Sequence, residues 1–307
     1  MAYLHSDREQ FRDAIDLAYE QTGVMVQAIE KDYYVTMLLR LLAQKMPYIV
    51  FKGGTSLSKC HKVIRRFSED IDISIDTLLS QGQKKKIKQA IVDSAQELGM
   101  MIENLDETRS RRDYNRYVIA YDSVIPMASD ALKAAVLLET SYTAVSFPTV
   151  LLPVHSYIGD MMEQEAPDAI EEYNLNPFEM KVQEIDRTLA DKVFAVCDYY
   201  LQGKVAKHSR HLYDIYKLLP LVPQNENFRE LVKEVRAVRA QSVVCPSALP
   251  EADVPELLEK IIKEKAYKQD YDSLTTQLLE ENMPYDTVIA ALKQIADGAM
   301  FDNTYGG

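Results

Sequence analysis

The chain has 307 residues, 47% of them apolar and 27% charged, with 35 Lys and Arg against 47 Asp and Glu for a formal charge of −12. A chain this long buries roughly three quarters of its unfolded surface and needs no disulfide or structural metal to fold, and the composition excludes long disorder. The acidic balance argues against a protein that coats DNA or lies on a membrane surface, because both tasks need local positive charge; a nucleic-acid substrate held at one basic patch stays open.

The three cysteines, Cys60, Cys197 and Cys245, are widely spaced and form no CxxC pair. That spacing suits neither a disulfide framework nor a zinc site and points to a reducing cytoplasm. The first ten residues are polar and charged, unlike a signal peptide, and no run of about 18 apolar residues is long enough to span a bilayer. The expected location is therefore the cytoplasm.

Apolar residues at helical spacing (Val26, Ile29, Tyr33, Met37, Leu38, Leu41) predict an amphipathic helix from Val26 to Ala43, stopped by Pro47. Tyr48 to Phe51 reads as a short strand ending at Gly53-Gly54, and Thr55 to Ile64 as a helix with Thr55 as its N-cap. Asp70 to Asp76 alternates polar and apolar residues, the pattern of a strand with one buried face. A Lys-rich helix follows from Gln83 to Leu98. Further strands are predicted at residues 100–105, 117–122, 134–142 and 149–154, and a last one at 178–185. From Asp186 onward the pattern is helical, over residues 186–201, 209–219, 227–240, 255–267, 271–281 and 284–296, punctuated by Pro220, Pro223, Pro246 and Pro250. The expected fold class is α+β: a mixed sheet with flanking helices over residues 1–160, then a mostly helical C-terminal domain over residues 161–307.

Two segments carry chemistry. In Phe51-Lys52-Gly53-Gly54-Thr55 a strand ends in glycines and passes into a helix, so a ligand can approach the backbone closely and a helix start favours phosphate. Taken alone, a Gly-Gly turn is as well explained as a turn. In Ser68-Glu69-Asp70-Ile71-Asp72, residues two apart on a strand point to one face, about 7 Å apart at Cα. Paired carboxylates repel unless a cation lies between them, and such hard oxygens suit Mg²⁺, which binds through one or two carboxylates plus substrate phosphates. A solvated strand face is the plainer account. The two together are sharper, because one helix returns the chain from the glycine corner to the strand bearing Asp70 and Asp72.

This arrangement resembles the minimal nucleotidyltransferases of the polymerase-β-like superfamily. More closely, Lys52-Gly-Gly-Thr-Ser-Leu-Ser-Lys59 followed by Arg66-Phe-Ser-Glu-Asp-Ile-Asp-Ile73 resembles the AbiEii/AbiGii toxin family. Ile29-Glu-Lys-Asp-Tyr-Tyr-Val-Thr36, Asp186-Arg-Thr-Leu-Ala-Asp-Lys192 and Ser209-Arg-His-Leu-Tyr-Asp-Ile215 are similar to later and earlier segments of that family. The likeness covers residues 26–220; the last 85 or so residues carry no assignable motif. The resemblance implies a nucleotidyltransferase fold and transfer of a nucleotide from an NTP to a hydroxyl acceptor with Mg²⁺ as cofactor. Asp70 and Asp72 would hold the metal and help activate the attacking hydroxyl. Gly53, Gly54 and Thr55 would receive the triphosphate. Lys192 would match the family's essential lysine, which contacts phosphates, and Asp214 its later essential aspartate, a base or metal-supporting group. Both would reach the cleft from the C-terminal domain. A third metal ligand is expected of the superfamily, and Glu139, a lone acid in an apolar strand, is the candidate. Ser68 and Arg66 lie on the approach to Asp70 and could contact phosphates.

Plainer accounts stand beside these. Lys192 lies in an apolar helical stretch from which a lysine can snorkel. Asp214 can be a helix-face carboxylate paired with Arg210 four residues earlier, and Arg66 can pair with Glu69. The family's biology implies a toxin of a bacterial toxin–antitoxin or abortive-infection pair, with a cognate antitoxin as partner and tRNA as an acceptor. Lys84, Lys85, Lys86, Lys88, Arg109, Arg111, Arg112 and Arg116 are the dense basic residues that could receive RNA, although two solvated faces would explain them. A nucleotide-binding regulatory or antitoxin-like partner without turnover, and a transferase acting on a protein or a small molecule, are the alternatives. No HxxxH, GxSxG, P-loop or GxGxxG motif is present.

Overall fold

The computed structural model describes residues 2–68, 70–126 and 133–302. The chain forms two compact units. The first comprises residues up to His61 together with Ser68–Gln183, and the second comprises Lys62–Phe67 with the chain from Glu184 on.

The first unit is built on seven strands: β1 (Ile49–Lys52), β2 (Asp70–Ile75), β3 (Met101–Ile102), β4 (Tyr114–Ala120), β5 (Ala135–Val145), β6 (Thr149–Val154) and β7 (Phe178–Gln183), in the order β3-β4-β5-β2-β1-β7-β6. Pairs β2–β5 and β1–β7 are parallel and the others antiparallel, so the sheet is mixed. Strands β6 and β7 belong to it, which carries this unit past the boundary expected at residue 160, on to Gln183.

Helices α1 (Arg8–Thr22), α2 (Val26–Lys45), α3 (Gly53–Lys59) and α4 (Gln81–Glu97) join this sheet. The Asp7 side chain caps α1 by accepting from the Glu9 and Gln10 N–H groups, and Gly23, left-handed at φ 69°, ends it. The α2 helix is buried on nearly every side rather than amphipathic, because α1, α4, β5 and the helix Tyr157–Glu165 all pack on it. Several of its polar side chains find partners elsewhere in the unit. Glu30 accepts from the Ser123 hydroxyl and the Val124 N–H, Asp32 pairs with Lys59, and the Arg40 guanidinium donates to the Asn176 carbonyl and lies over the Phe178 ring.

The second unit is helical. Its longer helices are Ile185–Leu201, Arg210–Leu218, Glu226–Arg239, Val254–Glu264 and Tyr285–Ala296. The helix expected over residues 271–281 is instead a π turn (Tyr271–Thr275) and one short helical turn (Thr276–Leu278). It stops because Leu279 pairs with Arg66 in an isolated bridge. The Phe67 N–H donates to the Leu278 carbonyl at 2.9 Å and the Glu280 N–H to the Arg65 carbonyl at 3.1 Å. The segment just before Ser68 is thus tied to the helical unit. Among the described residues no helix is long and apolar enough to cross a membrane.

Candidate active site

The glycine corner and the carboxylate strand meet within the first unit. Strand β1 runs out at Lys52, and Gly53 takes a left-handed backbone at φ 80° that opens α3. A Cβ placed on Gly53 would lie 2.0 Å from Asp72 Oδ2 and 2.9 Å from its Cγ, so the carboxylate occupies the space a side chain would fill. Thr55 is inside α3 rather than its N-cap, which is Lys52. Its buried hydroxyl shares a 2.9 Å hydrogen bond with Ser68 Oγ, which fixes the start of the Asp70 strand to the glycine corner.

Along β2 the side chains alternate. Ile71 and Ile73 are buried, while Asp70 and Asp72 are half-buried on the opposite face. The pairing registers place Lys52 opposite Asp72, Asp72 beside Glu139, and Glu139 opposite Arg116. Four charged residues therefore stand in one row across β1, β2, β5 and β4, with two carboxylates inside and a cation at each end. Glu139 pairs with Arg116 at 3.6 Å. The Tyr114 hydroxyl is raised from its ordinary range by partial burial and then by the Glu139 carboxylate beside it.

Hard carboxylate oxygens suit a divalent cation of the Mg²⁺ type. Among the described residues no group of three His, Cys, Asp or Glu is arranged as a metal site. Two carboxylates on one strand face fit a cation that binds through one or two carboxylates and completes its shell with water and substrate phosphate.

In the second unit, Lys192, on the Ile185–Leu201 helix, and Asp214, on the Arg210–Leu218 helix, are in contact. Lys192 Nζ donates to Asp214 Oδ2 at 2.6 Å. Arg66, far away in sequence, grips the same carboxylate through Nε to Oδ1 at 2.7 Å and Nη2 to Oδ2 at 2.8 Å. Asp214 is 0%, Arg66 3% and Lys192 6% exposed. Burial by itself raises the Asp214 carboxyl, but Arg66 and then Lys192 outweigh it and hold the group well below the usual carboxylate range. Lys192 is lowered by burial, against the pull of Asp214. Arg66 is thus engaged by Asp214; Glu69 lies outside the described residues. Lys192 does not snorkel but ends in a buried ion pair.

Most of the basic residues are occupied locally. Lys84 pairs with Asp113, Lys88 donates to the Leu105 and Thr108 carbonyls, Arg109 to those of Asp106 and Thr108, and Arg112 to that of Glu107.

The chain matches, over residues 36–294, the family model described as nucleotidyl transferase AbiEii toxin, type IV TA system. It belongs to the AbiEii nucleotidyltransferase toxins. This AbiEii protein is a nucleotidyltransferase, an enzyme class that generally uses a divalent metal. The family match contains Gly53, Asp70, Asp72, Glu139, Lys192 and Asp214, and it extends through residues 221–294, where the sequence offers no motif. Its fold is similar to that of the nucleotidyltransferase toxin MenT4 from Mycobacterium tuberculosis H37Rv, at 15% identity and a TM-score of 0.50, covering 92% of this chain and 87% of that one. No curated protein matches the AbiEii chain at a significant level.

Sequence reasoning missed Lys52 and Tyr114 as neighbours of the carboxylates and Arg66 as the partner of Asp214. The first two depend on strand register, and the third joins residues 148 apart in sequence. No local pattern encodes either.

Proposed function

We propose that this AbiEii toxin transfers a nucleoside monophosphate from an NTP to a hydroxyl of tRNA, with Mg²⁺ as cofactor. The observation that carries the reading is the contact of the Asp72 carboxylate with Gly53, which brings a paired-carboxylate strand against the glycine corner. Asp70 and Asp72 would hold the metal, with Glu139 as the third donor once released from Arg116. The metal, when bound, would neutralise charge on the triphosphate.

The chain's own groups would do the rest. Gly53, Gly54, Thr55 and Ser68 would receive phosphate oxygens at the corner, and Lys192 would contact phosphate with its ammonium. The acceptor oxygen would form its bond to the α-phosphorus as the bridging bond to the β-phosphate breaks and pyrophosphate leaves. The hydroxyl proton would pass to a carboxylate of the Asp70/Asp72 pair. Asp214, with both oxygens held by cations and its carboxyl kept ionised, would anchor Lys192 rather than act as a base. Catalysis of this kind is mostly positioning and electrostatics. A cognate antitoxin is the partner that a type IV toxin implies, and the exposed Lys85, Lys86 and Arg111 are the basic residues we assign to RNA.

The test is incubation with each radiolabelled NTP and purified tRNA, with an Asp72→Ala control. Label in tRNA that is lost in the control and removed by RNase supports the reading. Label that survives RNase assigns the acceptor to a protein or small molecule instead.

A further inference from the structure

The buried cluster of Arg66, Asp214 and Lys192 holds two cations against one anion. A lysine paired with an aspartate alone forms a neutral unit with little attraction for a phosphate. Here Arg66 takes both oxygens of the carboxylate, at 2.7 and 2.8 Å, and its Nη1 also donates to the Phe67 carbonyl at 3.1 Å, so each of its three nitrogens is engaged inside the protein. Among the described residues Lys192 spends one of its three N–H bonds, on Oδ2 at 2.6 Å, which leaves two for a substrate.

We infer that Arg66 is a positioning residue that offsets the charge of Asp214, so that the Lys192 ammonium is aimed by the carboxylate yet keeps a net positive charge for a substrate phosphate. The inference rests on the reading that Lys192 meets the triphosphate. Arg66 suits this role because its planar fork grips a carboxylate at two points and stays charged when buried, which a lysine does not guarantee. Arg66 and Arg210 both work against the proton on Lys192, and Asp214 holds it there. Arg210 adds positive charge from the helix that carries Asp214, and His211 is held neutral by burial and then by Lys192 itself.

Four variants of the full chain, each checked for folding by circular dichroism, test the inference through KM for the NTP, kcat and NTP affinity by equilibrium dialysis. Lys192→Met addresses the underlying reading: unchanged NTP affinity in that variant overturns the reading and the inference with it. Given a loss there, Arg66→Met leaves a neutral Lys192–Asp214 pair and is expected to weaken NTP binding by about tenfold or more, the size of one lost charge-assisted contact. The double variant Arg66→Met/Asp214→Asn restores one net positive charge, and its affinity is expected to recover to within a few-fold of the parent. Arg66→Lys, which loses the two-point grip, is expected to fall between the parent and Arg66→Met. A double variant no better than Arg66→Met, or as weak as Lys192→Met, overturns the role of Arg66 while leaving that of Lys192 standing. Should Arg66→Met fail to fold, the double variant decides alone, since it replaces the buried charge pair with neutral side chains of similar size.

Discussion

The carboxylate of Asp72 rests against the α-carbon of Gly53 in the space where any other residue would carry its Cβ, 2.0 Å from Oδ2. Gly53 is also left-handed at φ 80°, so both backbone and contact demand glycine at this one position. Replacing Gly53 by Ala must displace Asp72 or move the head of α3. The Gly53→Ala protein is expected to stay folded and to lose transfer activity by about a hundredfold or more, the order found when one preorganised electrostatic group is misplaced. A melting curve beside a transfer assay checks this, and retained activity would show that the contact is incidental.

Asp70 and Asp72 carry the metal in our reading. Chelation is expected to abolish transfer and added Mg²⁺ to restore it. Asp70→Asn and Asp72→Asn should each cut transfer by about a hundredfold or more while relieving carboxylate repulsion, so stability is kept or slightly raised. Manganese binding followed by electron paramagnetic resonance supplies a readout independent of turnover; equal binding by both variants and the parent would count against the assignment.

Glu139 separates two roles cleanly. Its ion pair with Arg116 is half-exposed, with side chains 32% and 53% accessible, so breaking it with Arg116→Ala should cost no more than about 1 kcal/mol. A Glu139→Gln protein of parental stability that loses most of its transfer activity supports the third metal ligand. Full activity in Glu139→Gln restricts the metal site to β2.

Asp214 bears on stability. Asp214→Ala strands two buried cations, Arg66 and Lys192, and is expected to cost about 3–5 kcal/mol, measurable by urea unfolding. The pH dependence follows from the direction of the shift. A carboxyl held below its unfolded value contributes stability in full above the ordinary carboxylate range, and that contribution is lost as pH falls below it, through the folded value. The parent is therefore expected to lose stability steeply under acid, and Asp214→Asn to show a flatter acid limb. Parallel limbs for the two proteins would refute the linkage.

Much of this molecule is legible in the order of its residues. The alternation from Asp70 to Ile75 gave a strand with both carboxylates on one face, the glycines marked a close approach, and helical spacing placed Lys192 and Asp214 on helices. Local periodicity reports these features because each depends on neighbours one or two turns away. The failures have physical causes too. Helix α2 reads as amphipathic but is enclosed, because burial on its far side comes from α1 and the Tyr157–Glu165 helix. The break at Leu279 comes from pairing with Arg66, more than two hundred residues away.

The sequence by itself determined which chemical groups are present and how each stretch folds locally, down to the face on which Asp70 and Asp72 stand. Tertiary structure alone decided their company: the row from Lys52 to Arg116 set by strand register, the seat of Asp72 on Gly53, and the capture of Asp214 by Arg66. The reason is that local patterns follow from backbone geometry shared by all chains, whereas register and long-range ion pairs are settled only when desolvation forces each buried charge to find the partner the whole fold brings to it.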